Sequence, residues 1–131
     1  MSWLDEVSYN ADGLVAAVAQ DYASGEILML AWMSRASLAR TWELGEAVYW
    51  SRSKGRFWHK GESSGHTQRL RELWLDCDGD TVVLKVEQVG GIACHTGHRS
   101  CFYRRLSDNE WVTTEQALRD PETIYGGGGS E

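Results

Sequence analysis

Between Asp76 and Cys101 the chain concentrates the residue types that hold metals. Asp76-Cys77-Asp78-Gly79-Asp80 opens the stretch, Val82-Val83-Leu84 crosses it, and Cys94-His95-Thr96-Gly97-His98-Arg99-Ser100-Cys101 closes it. All 3 cysteines of the protein and half of its 4 histidines fall there. Thiolates and imidazoles suit zinc, whereas clustered carboxylates suit magnesium or calcium. Cys77 lies inside the acidic run, so the two ligand sets are interleaved, and the stretch points to metal-assisted chemistry.

Three thiolates without a fourth are what a catalytic zinc wants: three protein ligands and one open position for water. The spacing of Cys94 and Cys101 matches no common zinc finger, however, and small buried residues or one disulfide remain alternatives at this level. His95 and His98 flank the thiols, where a histidine can serve as ligand, acid/base group or bystander. In an extended segment Asp76, Asp78 and Asp80 would share one face, opposite Cys77 and Gly79. Carboxylates so placed repel one another unless water or a cation separates them; the plain alternative is an acidic turn in solvent. The alternation also matches the start of a calcium-binding EF-hand loop, but Thr81 stands where that loop requires glycine. Thr81 to Val86 is β-forming where its exiting helix should begin, so that reading fails.

The elements that must position these residues are many short strands. Leu14 to Gln20 and Ile27 to Met33 predict a hairpin across Ala23-Ser24-Gly25-Glu26, its second strand apolar enough to be buried on both faces. Ser34 is placed to cap a helix through Leu38, Ala39 and Trp42 that Gly45 closes. Ala47 to Arg52 predicts a strand, followed by a basic loop around Lys54-Gly55-Arg56 and a short extended piece, Phe57 to Lys60. Gly61 to His66 is too polar and glycine-punctuated for core. Strands from about Thr67 into Asp76 and from Thr81 to Gln88 flank the Asp78-Gly79 turn. Val89 to Thr96, with Gly90-Gly91, predicts loop; Ser100 to Leu106 a strand; Asp108-Asn109 a turn; and 115–119 a short helix capped by Thr114. Residues 1–12 form an arm or short helix, and most of the 7 tryptophans serve as core or interface anchors, Trp58 being set apart by the polar and charged residues around it. The fold class is α+β, mostly antiparallel sheet with few short helices.

At 131 residues this is one domain, 1–125 with its core at about 14–106, and 126–131 is a flexible Gly/Ser tail set aside from fold reasoning. A hydrophobic share of 42% with 24% charged residues is that of a globular protein, and no apolar run approaches the ~20 residues of a membrane span. The N-terminus lacks the basic start and apolar core of a signal peptide, so the expected location is cytoplasmic, where thiols stay reduced. A net charge of −6 disfavours nucleic acid and acidic membranes as partners. Arg52, Lys54, Arg56 and Lys60 nevertheless form a local basic patch, either a solvated face or a seat for a small anion.

Four ordered blocks carry a resemblance: Trp58-x-Lys60-Gly61-Glu62-x-Ser64-Gly65-x-x-Gln68; Asp76-Cys77-Asp78-x-Asp80; Gln88-x-Gly90; and Ala93-Cys94-His95-Thr96-Gly97-x-x-Ser100-Cys101-Phe102. Together with Leu28-x-Leu30-Ala31-Trp32-Met33 and Ser51-Arg52-Ser53, the chain resembles the phosphoribosyl-AMP cyclohydrolases of histidine biosynthesis over about Leu14 to Tyr103. The resemblance implies hydrolytic opening of an adenine ring between N1 and C6 by a zinc-activated water. It implies an intertwined homodimer in which one zinc per subunit is shared, held by Cys77 of one chain and by Cys94 and Cys101 of the other. One magnesium per subunit is implied on Asp76, Asp78 and Asp80. The substrate is a small phosphorylated purine nucleotide, for which Arg52, Ser53, Trp58, Lys60, Glu62 and Ser64 are the expected contacts. His95, next to a ligand, is the expected general acid/base, a role that typically contributes ~10²–10⁴-fold. A structural zinc module would want a fourth ligand and a closed site, and a zinc deaminase would want His-x-Glu, which does not occur in this chain.

Overall fold

The computed structural model describes residues 2–114. Strand β1 (Leu14–Asp21) pairs antiparallel with β2 (Ile27–Ser34), and β5 (Gln68–Leu75) pairs antiparallel with β6 (Thr81–Gln88). The two hairpins join through β1 and β6, which run parallel from Ala16↔Thr81 to Asp21↔Val86. The result is a four-stranded sheet in the order β2-β1-β6-β5. That parallel seam makes the sheet mixed, a feature the local hairpin signals do not contain. Two further hairpins stand beside it, β3 (Val48–Ser51) with β4 (Arg56–His59), and β7 (Arg104–Ser107) with β8 (Glu110–Thr113). No helix among the described residues is long and apolar enough to cross a membrane.

Period-two patterning sets the core. Val82, Leu84 and Val86 of β6 alternate inward and meet Val15, Ala17 and Ala19 of β1 and Leu28, Met29, Ala31 and Met33 of β2. Strand β2 is an edge strand, and Ile27 and Leu30 are about half exposed, at 50% and 48%, so it is not buried on both faces. Helix α1 (Arg35–Leu44) begins at Ser34, whose side chain accepts from Ser37 N, and ends at Gly45 in the left-handed region that glycine enters without a Cβ penalty. The buried Thr41 hydroxyl lies 3.0 Å from both Val48 N and Val48 O, tying the helix to β3. The N-terminal arm forms a 3-10 turn, Trp3–Glu6, whose Trp3 meets Trp42 edge-on.

Several expectations are corrected. Strand β7 starts at Arg104 rather than Ser100, because Ser100 and Cys101 spend their bonds on β2: Ser100 Oγ donates to Ile27 O at 2.7 Å and Cys101 N to Leu28 O at 2.7 Å. The Gly61–His66 segment is not all surface; Gly61 and His66 are buried, and a Cβ on Gly90 would sit 2.5 Å from the His66 ring. No tryptophan is fully buried and Trp111 is 66% exposed; only Trp58 packs against the core, and it does so partly buried. The 115–119 helix and the 126–131 tail lie outside the described residues.

One buried polar network ties the sheet to the β3–β4 hairpin. Tyr49 Oη donates to Gln68 Oε1 at 2.6 Å, Gln68 Nε2 donates to Gln88 Oε1 at 2.8 Å, and Gln88 Nε2 donates to His66 O at 2.9 Å. Tyr49 and Gln68 are fully buried, and burial pushes the Tyr49 phenol upward, so it stays a donor. Gln68→Leu would strand the Tyr49 hydroxyl and the Gln88 carbonyl, each costing roughly 1–3 kcal/mol. Urea unfolding should therefore register a loss of roughly 2–5 kcal/mol, and a loss under ~0.5 kcal/mol would show the network to be dispensable.

Candidate active site

The loop between the core and β7 brings two thiols together. Ala93 N donates to Arg99 O at 3.1 Å, Cys94 N to His98 O at 3.2 Å and Gly97 N to Cys94 O at 3.0 Å, so residues 93–99 close on themselves. Arg99 pins the loop to the β1–β2 turn, its Nε donating to Glu26 Oε1 at 2.5 Å, and Ser100 anchors it to β2. Cys94 is buried and Cys101 exposed, and their thiols share a hydrogen bond. The bond from Cys101, with help from the Thr96 hydroxyl at 3.0 Å, lowers the Cys94 thiol to about 5. The same bond and the Cys94 charge push Cys101 up. The pairing thus favours the thiolate form on Cys94, the form that binds metals.

Cys77 lies elsewhere. The acidic run is the turn of the β5–β6 hairpin, not an extended face: Asp76 N donates to Thr81 O and Gly79 N to Asp76 O, both at 2.9 Å. Gly79 is left-handed and packs against the arm, where an added Cβ would stand 2.8 Å from Glu6 O, and Ser8 N donates to Gly79 O at 2.7 Å. Tight turning brings Cys77 beside the acids rather than opposite them. Ligand atoms of Asp76, Cys77 and Asp78 lie within 4.8 Å of one another, the sole such trio among the described residues. Asp80 joins through Asp76: sharing a hydrogen bond lowers the Asp76 carboxyl and raises that of Asp80. Carboxylates crowded enough to share a proton fit a hard divalent cation, which would relieve their repulsion.

Topology keeps this turn away from the thiol pair. Cys101 docks at Leu28, at the end of the sheet where β6 finishes; Cys77 sits where β6 begins, at Thr81. Along the strands that is roughly 10 Å, and from β2 to β6 another two strand spacings, roughly 10 Å. Zinc–sulfur bonds of ~2.3 Å require sulfurs within about 4.6 Å of each other. Among the described residues Cys77 groups with Asp76 and Asp78 and not with the thiol pair. As a donor set the thiol pair fits zinc, provided a further ligand arrives from outside the chain.

A cavity of about 690 Å³ opens above the β3–β4 hairpin, lined among others by Trp32, Arg52, Ser53, Trp58, His59 and Glu62. Arg52 covers the Trp32 ring at 4.9 Å, and His59 Nε2 pairs with Glu46 Oε1 at 2.7 Å. Four of the expected substrate contacts, Arg52, Ser53, Trp58 and Glu62, share this wall. Lys60 and Ser64 do not. Lys60 is 3% exposed and its ammonium donates to Ala93 O at 2.5 Å; Ser64 Oγ accepts from His66 N at 3.2 Å. His95 is exposed at the tip of the thiol loop, while His98 bonds Thr96 Oγ1 through Nδ1 at 2.6 Å and stacks on Tyr103. The sequence reading assigned no role to Thr96, Gln68 or Gln88, although all three stand in the blocks that carry the resemblance, and it did not single out Tyr49.

Comparison with known proteins bears on the same residues. The profile of the family described as Phosphoribosyl-AMP cyclohydrolase matches residues 29–103. A protein of that name from Marinobacter nauticus is 63% identical over 124 residues, covering 95% of this chain and 90% of its own. Namesakes from Thioalkalivibrio sulfidiphilus and Nitrosomonas europaea are 60% and 59% identical, each with 95% of its own length covered, and 95% and 94% of this chain respectively. The matched span contains the thiol loop, the acidic turn and the cavity wall, and the chain belongs to the phosphoribosyl-AMP cyclohydrolase family.

Proposed function

We propose that this enzyme hydrolyses the N1–C6 bond of the adenine ring in 1-(5-phosphoribosyl)-AMP, a step of histidine biosynthesis, at a site completed by a second copy of the chain. The observation that carries the reading is the pairing of Cys94 with Cys101 in a family member whose Cys77 stands at the opposite corner of the sheet. Cys94 and Cys101 of one subunit and Cys77 of the other would hold zinc; Asp76, Asp78 and Asp80 would hold magnesium. When bound, zinc supplies a water activated at neutral pH. In the reaction the water oxygen bonds to C6, the C6–N1 bond breaks and N1 gains a proton, leaving a carboxamide at C6 and a formamidine at N1.

The chain's own residues bind, orient and move protons. The Trp58 ring and the aromatic wall of the cavity suit a purine face, and Arg52 with neighbouring Ser53 suits a phosphate. A cavity of this size is in the usual range for small-molecule sites, ~300–1,000 Å³. Glu62, also in the cavity lining, is placed for the ribose hydroxyls. His95, exposed beside Cys94, takes the proton from water and returns it to N1.

A second copy is supported by the surface as well. Among the described residues the β7–β8 hairpin pairs only with itself and leaves Leu106, Trp111 and Val112 exposed, and an isolated two-stranded hairpin is marginal in water. Ile27 and Leu30 on the β2 edge and Phe102 beside it add a further apolar surface. An intertwined homodimer would cover both. A cytoplasmic location accords with the need for reduced thiols.

The direct test is turnover of phosphoribosyl-AMP with ring opening followed by absorbance, with and without a zinc chelator and across a magnesium titration. Turnover that chelation abolishes and added zinc restores is the expected result. No turnover by zinc- and magnesium-loaded protein would overturn the assignment.

A further inference from the structure

A chain of side-chain contacts runs outward from the buried thiol. Thr96 Oγ1 donates to Cys94 Sγ at 3.0 Å and also lies 2.6 Å from His98 Nδ1. A hydroxyl has one proton to give. A sulfur that is ionised or bound to a metal can only accept, so in that state the Thr96 proton is committed to Cys94. The bond to His98 must then run the other way, with Nδ1 as the donor. That holds for a charged ring and fixes a neutral ring as its Nδ1–H tautomer. His98 is itself held twice. Its ring stacks on Tyr103 with centroids 3.6 Å apart and planes 4° from parallel, and its carbonyl accepts from Cys94 N at 3.2 Å. Tyr103 follows Cys101 by two residues, and its carbonyl accepts from Thr114 N at 2.8 Å, just past the end of β8.

We propose that Thr96, oriented by His98, is a positioning residue that aims the Cys94 sulfur at the zinc. The inference rests on the zinc reading above and adds to it a residue that acts through a ligand rather than on metal or substrate. A cysteine sulfur swings about one side-chain torsion, and a metal accepts it in only part of that arc. The Thr96 hydroxyl holds the sulfur from one side and leaves its other lone pairs for the metal. His98 in turn keeps that hydroxyl from rotating away, because Nδ1–H occupies its acceptor side. The chain from Cys94 through Thr96 and His98 to Tyr103 also leads from one ligand to the stretch just after the other. Side chains as well as backbone therefore brace the separation of Cys94 and Cys101.

The test is zinc affinity, read by competition with a chromophoric chelator, in wild type, Thr96→Val, Thr96→Ser, His98→Phe and His98→Asn. Val keeps the shape of Thr96 and drops the hydroxyl; Ser restores it. Loss of a group that orients a metal ligand typically weakens metal binding ~10–100-fold, so Thr96→Val should fall in that range and Thr96→Ser should recover most of the loss. Phe keeps a ring for Tyr103 without the donor, whereas the Asn amide offers an N–H near the Nδ1 position. His98→Phe should therefore bind zinc more weakly than His98→Asn. The rise in melting temperature on adding zinc should shrink in Thr96→Val, because that rise follows zinc affinity. A purely structural threonine would instead lower the melting temperature equally with and without zinc. That outcome, or wild-type zinc affinity in Thr96→Val, overturns the proposal. If Thr96→Val does not fold, the wild type decides. It has 4 histidines, so the ring nitrogens of His98 can be assigned by long-range ¹H–¹⁵N NMR. In the zinc-loaded protein Nδ1 should carry a proton, and an Nε2–H tautomer with a bare Nδ1 overturns the proposal. A wild type that takes up no zinc would overturn the zinc reading and this inference together, whereas zinc uptake that Thr96→Val leaves undiminished overturns the inference alone.

Discussion

Replacing Cys94 by alanine should strip stoichiometric zinc from the protein and lower turnover by roughly 10³-fold or more. The size follows from what the metal does. Without it, water must attack C6 with its ordinary pKa of about 15.7 instead of ~7, and several kcal/mol of stabilisation of the developing charge are lost. Cys94 is the thiol lowered to about 5 by Cys101 and Thr96, so its thiolate form is the more favoured of the pair. Cys101→Ala should act in the same direction and should also let Cys94 rise, since its main hydrogen-bond donor is gone. Neither change should unfold the chain, because the loop keeps its backbone bonds from Ala93 to Arg99 and from Cys94 to His98. Elemental analysis with circular dichroism separates the cases. Stoichiometric zinc and full activity in a folded Cys94→Ala protein would remove the thiol pair from the chemistry.

The parts of the fold legible in the sequence were those written in neighbouring residues. Ser34 and Gly45 bound α1 through local hydrogen bonds and a left-handed cap. Asp108-Asn109 turns with both residues at positive φ, the backbone that short hairpins need. The β-forming run from Thr81 to Gln88 is strand β6, as its composition predicts. The parallel seam of β1 and β6 was not legible, because its partners lie some sixty residues apart and no turn residue announces the pairing. Strand β2 read as doubly buried because its composition is apolar throughout, yet composition records that a face is covered without saying by which chain. If the second copy covers Ile27 and Leu30, that reading described the assembly and not the protomer.

The ligands were legible by type and not by grouping. Thiol and carboxylate chemistry could be read from Cys77, Cys94, Cys101 and the three aspartates, and the resemblance divided them between two subunits. The turn geometry that sets Cys77 among the acids depends on the contact of Gly79 with the N-terminal arm, far away in sequence. Lys60 read as part of a basic patch, a solvated face or a seat for a small anion, and by resemblance as a substrate contact, because lysine is seldom buried. Its burial depends on Ala93, a partner that no local pattern around Lys60 predicts.

The claim at the centre of this account is that each active site draws on two chains, and subunit mixing tests it most directly. Cys77→Ala and Cys94→Ala should each be inactive alone. In a heterodimer one composite site combines Cys77 from the Cys94→Ala chain with intact Cys94 and Cys101 from the Cys77→Ala chain, while the other site loses two ligands. Random exchange of equal amounts makes about half of the dimers heterodimers, each with one of two sites intact, so activity should return to roughly a quarter of wild type. Bound zinc should recover in parallel, since metal and dimer stabilise one another by mass action. No recovery, with heterodimers confirmed by native mass spectrometry, would place all three thiols within one chain and contradict the account.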